Sequence, residues 1–135
     1  MSSAHEQVPV VIPVAHWLVV DAILDNEISV EGEHGDPRHV LDLAHTIRQA
    51  GWDHLPDWPT DPAGFADSPQ PGQTVTMPLT HTQWDLILDC LDRWAAVAAD
   101  LETPNSRADA RQSRQIADQL RHQLTEHDNR RNDRT

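Results

Sequence analysis

The sequence predicts an α-rich α+β fold made of two β-α-α units, the second of which ends in a long antiparallel helical hairpin. Two short β-type runs, VPVVIPV at residues 8–14 and TVTMPLT at residues 74–80, each precede a segment whose apolar residues recur at helical spacing. The phrase DAILD at residues 21–25 returns as DLILD at residues 85–89. Because the phrase lies in a helical segment both times, we interpret the two units as an internal duplication.

Length and composition favour one compact domain at residues 1–127, followed by a disordered polar tail at residues 128–135. No run of about 18 apolar residues occurs, so no membrane-spanning helix is expected. The N-terminal residues lack the basic start and the small-residue cleavage site of a secretion signal. Cys90 is the only cysteine, which excludes an internal disulfide and leads us to expect a cytoplasmic protein.

The first unit is assigned to residues 8–51. Its β-type run contains two prolines, which cannot donate to a β-ladder, so an edge strand or an extended segment is predicted. Helical spacing over residues 15–28 predicts a short helix with the apolar residues Trp17, Val20, Leu24 and Ile28. A brief strand and a turn are expected at residues 27–35. A helix at residues 36–51 follows, because Asp36 can cap its start and Gly51 can end it.

Residues 52–73 connect the two units and are predicted to form a loop. This segment contains five prolines and no hydrophobic periodicity, and it is long for a connection inside a compact domain. Its aromatic side chains are Trp52, Trp58 and Phe65. They either fix the loop to the body of the protein or form a surface that contacts a partner.

The second unit is assigned to residues 74–127. Thr80 or Thr82 can cap a helix at residues 80–102, whose apolar residues form an almost unbroken seam. A helix at residues 106–127 has a narrower apolar stripe, so the two helices are expected to pack as an antiparallel hairpin. Since the seam is broader than the stripe, the excess apolar surface needs cover. We expect it to serve the core or a homodimer through Trp84, Leu88, Leu91 and Trp94.

The repeated phrase extends beyond five residues. PVAHWLVVDAILD, from Pro13, and PLTHTQWDLILD, from Pro78, share Pro, His, Asp, Ile, Leu and Asp when one residue is deleted. Both copies follow a β-type run, so the two strands are predicted to pair across a pseudo-twofold axis. The Pro-Leu-Thr start and the Trp-led amphipathic helix within residues 74–101 resemble small uncharacterised actinobacterial and actinophage proteins. That resemblance implies no activity.

Charge limits the partners that the chain can bind. The net charge is −12 with histidine neutral, and all ten basic residues are arginine. Arginine without lysine, together with abundant Ala, Asp, Pro and His, is typical of a GC-rich genome such as that of an actinobacterium or its phages. An acidic chain is repelled by nucleic acid and by anionic membranes. We therefore expect another protein as the partner, with a basic surface, and no direct contact with nucleic acid or membrane.

Two groups of aspartates are spaced at helical turns and could bind a metal. They are Asp21 and Asp25 in the first unit, and Asp85, Asp89 and Asp92 in the second. Carboxylates in such pairs can hold Mg²⁺, as in metal-dependent nucleotide hydrolases. Those enzymes, however, use Glu-rich pairs on several helices, and the helix at residues 36–51 offers only Asp42. We interpret the aspartates as solvated helix faces and predict no metal.

No other pattern indicates catalysis. The nine histidines show neither HExxH nor zinc-ligand spacing, and no phosphate-binding or nucleophile motif occurs. Cys90 borders the apolar seam, where a small buried hydrophobe is the better interpretation than a nucleophile. We therefore predict no catalytic residue, no cofactor and no enzymatic activity.

Three functions remain open. The first is a non-catalytic acidic protein that binds another protein. A sharper version is a phage or mobile-element inhibitor of the anti-CRISPR or anti-defence type, in which Asp21, Asp25, Asp85, Asp89 and Asp92 imitate DNA phosphates. An antitoxin, an immunity protein or an assembly subunit fits equally. The second is a small metal-dependent hydrolase that uses the same aspartates. The third is a DNA-binding regulator that uses the stripe of Arg107, Arg111 and Arg114.

Overall fold

A computed structural model describes residues 7–37, 39–54, 74–101 and 103–133. In this part of the chain, two strands and four helices follow one another in the predicted β-α-α-β-α-α order. They are β1 (Gln7–Pro13), α1 (Val14–Glu33), α2 (Leu41–His54), β2 (Thr74–Thr80), α3 (His81–Asp100) and α4 (Pro104–Asp133). The α-rich α+β class is therefore confirmed. Trp58 and Phe65 lie outside the described residues, as does most of the predicted loop at 52–73.

The two β-type runs pair with each other. β1 and β2 form a two-stranded antiparallel sheet in which Val10 faces Met77 and Pro9 faces Pro78. Side chains alternate between a solvent face and a buried face, as a half-buried strand requires. The buried face consists of Val8, Val10, Ile12, Met77 and Leu79. The predicted pairing of the two strands is confirmed.

The outer edge of β1 is closed by a side chain. Val11 donates its N–H to Gln123 Oε1 at 3.0 Å, and its carbonyl accepts from Gln123 Nε2 at 2.7 Å. Residues two apart on a strand point to the same edge, so Pro9 and Pro13 share this edge and contribute no N–H donor. The edge-strand prediction is confirmed. The side-chain amide of Gln123 on α4 makes the hydrogen bonds to β1 that a neighbouring strand would make at this edge.

α1 differs from its prediction. It runs over 20 residues to Glu33, so the expected end at residue 28 and the brief strand at 27–35 are wrong. Glu27 and Glu31 continue its buried stripe, with exposures of 2% and 5%. Glu27 is charge-compensated by Arg93 of α3, whose Nη1 lies 2.7 Å from Glu27 Oε1. In the sequence, glutamates suggest a solvent-exposed position. The apolar periodicity therefore ends at Ile28, and the last part of the helix was not predicted.

α2 is shifted relative to the predicted helix at residues 36–51. Asp36 is its capping residue, because Asp36 Oδ1 accepts from the N–H of Val40 at 2.8 Å and of Leu41 at 3.4 Å. Asp36 has a φ of 55°, so the chain turns there and the helix begins five residues later. Gly51 does not end α2, which continues to His54 and so takes Trp52 out of the predicted loop.

Gly51 has a packing role instead. A Cβ at this position would lie 2.5 Å from Trp17 Nε1 and 2.9 Å from two carbons of the indole ring. Trp17 is fully buried in α1. Only glycine lets α2 approach the indole so closely, which explains why a residue with low helix propensity lies inside this helix.

α3 and α4 form the predicted helical hairpin. Thr80 caps α3, since its Oγ1 accepts from Gln83 N at 3.2 Å while Gln83 Oε1 accepts from Thr80 N at 2.8 Å. Thr103 and Ser106 make the same reciprocal bonds at the start of α4. The helices pack along apolar faces that include Trp84, Ile87, Leu91, Ile116, Ala117 and Leu120.

α4 is longer than its prediction. It continues to Asp133, so the part of the expected disordered tail at residues 128–133 is helical. Pairs one turn apart support this polar end, with His122 Nε2 at 3.1 Å from Glu126 Oε1 and Arg130 Nη2 at 3.7 Å from Glu126 Oε2. His81 Nε2 also lies 3.3 Å from Asp128 Oδ1, which ties the end of α4 to the start of α3.

The two units share a common offset. Val10 faces Met77, and the same spacing of 67 residues (77 − 10) separates other buried positions of α1 and α3. These pairs are Trp17 and Trp84, Val20 and Ile87, and Leu24 and Leu91. DAILD and DLILD are 64 residues apart (85 − 21), so the repeated phrase does not follow the 67-residue spacing of the buried pairs.

Candidate functional site

The aspartates of α1 form an ion-pair cluster with α2. Arg48 Nε lies 2.9 Å from Asp21 Oδ1, and Arg48 Nη1 lies 2.9 Å from Asp25 Oδ1. Asp21 is buried, whereas the Asp25 side chain is 64% exposed. The hydrogen bond that Arg48 donates to Asp21 raises the pKa of Arg48, and the negative charges of both aspartates add to this effect against the opposing effect of burial. Arg48 also lies 5.2 Å from the ring centroid of Trp52, a cation–π distance.

The aspartates of α3 are divided among different contacts. Arg93 Nη1 lies 3.4 Å from Asp89 Oδ2, and Arg121 of α4 pairs with Asp92. Asp85 is exposed and has no partner among the described residues. The structure therefore does not bring the five predicted aspartates into one group. Three arginines, Arg48, Arg93 and Arg121, lie among them.

This arrangement bears on the metal and DNA-mimic hypotheses. Among the described residues, no cluster of three or more His, Cys, Asp or Glu side chains is placed to hold a metal ion. Asp21 and Asp25 point at a guanidinium group, which takes the place that a cation would need. A phosphate mimic needs carboxylates that a partner can reach, and the burial of Asp21 removes it from that set.

A smaller acidic surface remains on α3. Asp85, Asp89, Asp92 and Asp100 are exposed on its solvent side, and we call them the acidic stripe. They extend over 15 residues (100 − 85), or about 22 Å of helix. Asp85 and Asp100, at its two ends, have no partner among the described residues. Asp85, Asp89 and Asp92 of the stripe were predicted as contact residues, whereas Asp100 was not.

The predicted apolar seam divides between core and surface. Trp84 and Leu91 are buried at 0% and 1% exposure, whereas Leu88 and Trp94 are half-buried. Beyond the core, Val97 of α3 and Leu101, the C-cap residue directly after this helix, are 49% and 65% exposed. Excess apolar surface on this helix was expected, and it lies at the C-terminal end of α3.

Trp94, Val97 and Leu101 line a concavity between three helices, which we call the apolar groove. Its volume is about 220 Å³. α1 contributes Val19 and Ile23, and α3 contributes Trp94, Val97, Ala98 and Leu101. α4 closes the third side with Ser106, Asp109, Gln112 and Ser113. Within the described part of the chain, Asp109 is the only charged side chain that lines it.

The predicted loop aromatics are only partly placed. Trp52 lies on α2 with 42% exposure and contacts the Arg48 guanidinium, so it is not part of the buried core. Trp58 and Phe65 are outside the described residues, and their role as contact residues stays a prediction.

Sequence reasoning missed the cations that organise the site. Arg48 and Arg93 look like ordinary surface residues, because Asp21 and Asp25, which pair with Arg48, and Glu27, which pairs with Arg93, lie on another helix and at least 23 residues away. The spacing of Glu27 and Glu31 with Trp17, Val20 and Leu24 is the one signal that could have placed these glutamates inside. Cys90 is buried at 1% exposure, as the interpretation of a small core hydrophobe requires.

The basic stripe of the third hypothesis is exposed on α4. Arg107, Arg111 and Arg114 all face solvent, and Arg111 and Arg114 have no partner among the described residues.

Within the described part of the chain, no helix has both the length and the apolar character that crossing a membrane requires. Comparison with known proteins gives no match to a protein family, a curated protein or a solved structure.

Proposed function

We propose that this protein is non-catalytic and acts by binding a basic surface on another protein. The acidic stripe of α3 is the contact surface in this proposal, with Asp25 of α1 as a further exposed carboxylate. Electrostatic attraction of this kind accelerates encounter and selects partners by charge.

The proposal is supported by the negative charge that remains after the internal ion pairs are taken into account. The chain has 22 carboxylates against 10 arginines, a surplus of 12 (22 − 10) whatever the pairing. Arg48, Arg93 and Arg121 are already bound to carboxylates. The exposed stripe keeps Asp85 and Asp100 without a partner among the described residues. A partner with a basic surface would compensate this negative charge.

Inhibition of a nucleic-acid-binding protein is the specific form of this function that the charge supports. A partner that binds DNA has a basic groove, and exposed carboxylates can occupy it in place of phosphates. In this form Asp85, Asp89, Asp92 and Asp100 make the contact, since Asp21 is buried against Arg48. The anti-defence role of a phage or mobile-element protein is one instance of such inhibition.

We also propose that the two units arose by duplication. The common offset of 67 residues supports this, because it relates three pairs of buried residues in α1 and α3. Arg48 and Arg121 add to the argument, since each second helix supplies one arginine to an aspartate of its own unit. Those aspartates, Asp25 and Asp92, are themselves 67 residues apart (92 − 25).

The test is capture of partners from an actinobacterial lysate with two matched charge variants. One variant carries Asp85→Asn and Asp100→Asn, and the other carries Glu33→Gln and Asp42→Asn. All four side chains are exposed and have no partner among the described residues, so both variants change the net charge equally without disturbing an ion pair. Proteins retained at low salt and released at high salt are identified by mass spectrometry.

We expect a basic protein to be retained by the wild type and by the Glu33→Gln, Asp42→Asn variant. The Asp85→Asn, Asp100→Asn variant should lose it. Release of that protein by added duplex DNA would support the inhibitor form, and retention would point to another basic surface. Equal capture by both variants, or no basic protein at low salt, would refute the proposal.

A further inference from the structure

The apolar groove is a feature that the acidic stripe does not explain. Val97 and Leu101 expose about half or more of their surface next to the half-buried Trp94. Apolar side chains grouped around a concavity are typical of a binding site, whereas single exposed ones are ordinary. Val97 and Leu101 are therefore candidates for contact with a ligand or a partner.

The size of the groove restricts what it can hold. At about 220 Å³ it is smaller than the sites of most cofactors and drug-sized ligands, which occupy about 300–1,000 Å³. It has room for one or two large apolar side chains. Trp94 to Leu101 spans seven residues (101 − 94), or about 10 Å of α3, which matches two turns of a helix lying alongside. The dimensions fit the anchor residues of a protein partner.

The charge around the groove selects the type of partner. Asp109 lines it, and Asp100 directly precedes Leu101 at its edge. Both are exposed without a partner among the described residues, and none of the described residues that line the groove is basic. A second copy of the chain would bring another net charge of −12 against these carboxylates. A partner with basic residues beside its apolar ones is attracted instead.

We infer that the apolar groove binds a basic amphipathic helix of the partner protein. Apolar side chains one turn apart insert between Ile23, Trp94 and Leu101, and flanking Lys or Arg side chains meet Asp100 and Asp109. Docking an amphipathic helix into a groove between helices is an established recognition mode. The inference rests on the proposed function, because it adds a specific apolar contact to the acidic stripe, which ends at Asp100.

A synthetic peptide tests the inference without knowledge of the partner. The probe is a fluorescein-labelled peptide of about 18 residues with leucines on one helical face and lysines elsewhere. Its control has the same composition in an order that gives no apolar face. Binding is measured by fluorescence anisotropy at about 0.15 M salt, where long-range attraction is largely screened.

Two variants locate the binding site. Val97→Gln with Leu101→Gln alters the groove, and Val30→Gln alters an exposed helical valine, 39% accessible, that does not line it. We expect the groove variant to bind the amphipathic peptide at least about tenfold more weakly, a loss of about 1.4 kcal/mol. The Val30→Gln variant should stay within about twofold of the wild type. The scrambled peptide should bind at least about tenfold more weakly than the amphipathic one.

Three results would overturn the inference. Equal binding of both peptides would mean that charge alone attracts them, which leaves the proposed function intact. Equal binding by the wild type and the groove variant would place the contact elsewhere. Sedimentation of the wild type as a dimer and of the groove variant as a monomer would make a second copy the occupant. The proposed function fails separately, in the lysate capture with Asp85→Asn and Asp100→Asn.

Discussion

Replacing Gly51 by alanine tests how closely α2 approaches α1. Alanine stabilises a helix interior by about 1 kcal/mol relative to glycine. At this position the new Cβ would lie 2.5 Å from Trp17 Nε1, so the fully buried indole or the helix must move. Overpacking of this kind costs about 1–3 kcal/mol. We expect Gly51→Ala to lower the free energy of unfolding by about 1 kcal/mol after the propensity gain.

Gly32 provides the matched control. It also lies inside a helix, a Cβ added to it would meet no atom within 4 Å, and its φ is not positive. Gly32→Ala should therefore raise the free energy of unfolding by about 0.5 kcal/mol. Urea denaturation of both variants measures the difference, in which the helix-propensity term cancels in part. Equal stabilisation by the two substitutions would refute the close contact between Gly51 and Trp17.

Substitutions at three other contacts are tested by urea denaturation. Asp36→Ala removes the cap of α2 and should cost about 1 kcal/mol, whereas Asp36→Asn keeps the cap and should cost less than half of that. Gln123→Ala leaves the Val11 edge of β1 open and should cost about 1 kcal/mol; no change in stability would contradict the edge closure. Arg48→Met leaves the buried Asp21 carboxylate uncompensated and should cost about 2 kcal/mol, most of which Asp21→Asn should restore in the double variant.

The sequence predicted those elements whose local signals agree with their packing. The two β-type runs, the Thr80 cap and the seam that begins at Trp84 are all patterns formed by residues close in the chain. They identified the strand pair and the hairpin, together with the order of the elements. The narrow apolar stripe of α4 was sufficient to predict the hairpin. Two helices joined by a short connection pack compactly when they lie antiparallel.

The errors arose where distant residues decide the structure. Glu27 looks solvent-exposed until Arg93, 66 residues away, is known to compensate it. Gly51 looks like a helix end until Trp17 is placed against it. The aspartates of α1 look like a solvent row until Arg48 is found between them. In each case the decisive contact comes from a residue on another helix, which the local sequence pattern does not identify.

The central claim is that the acidic stripe attracts a basic partner. The most direct test is the dissociation constant of the captured protein, purified, for the wild type and for the Asp85→Asn, Asp100→Asn variant between about 0.05 and 0.5 M salt. We predict that binding by the wild type weakens steeply with salt, and that the variant binds more weakly with a shallower dependence. A dissociation constant that is independent of salt and unchanged in the variant would contradict the claim.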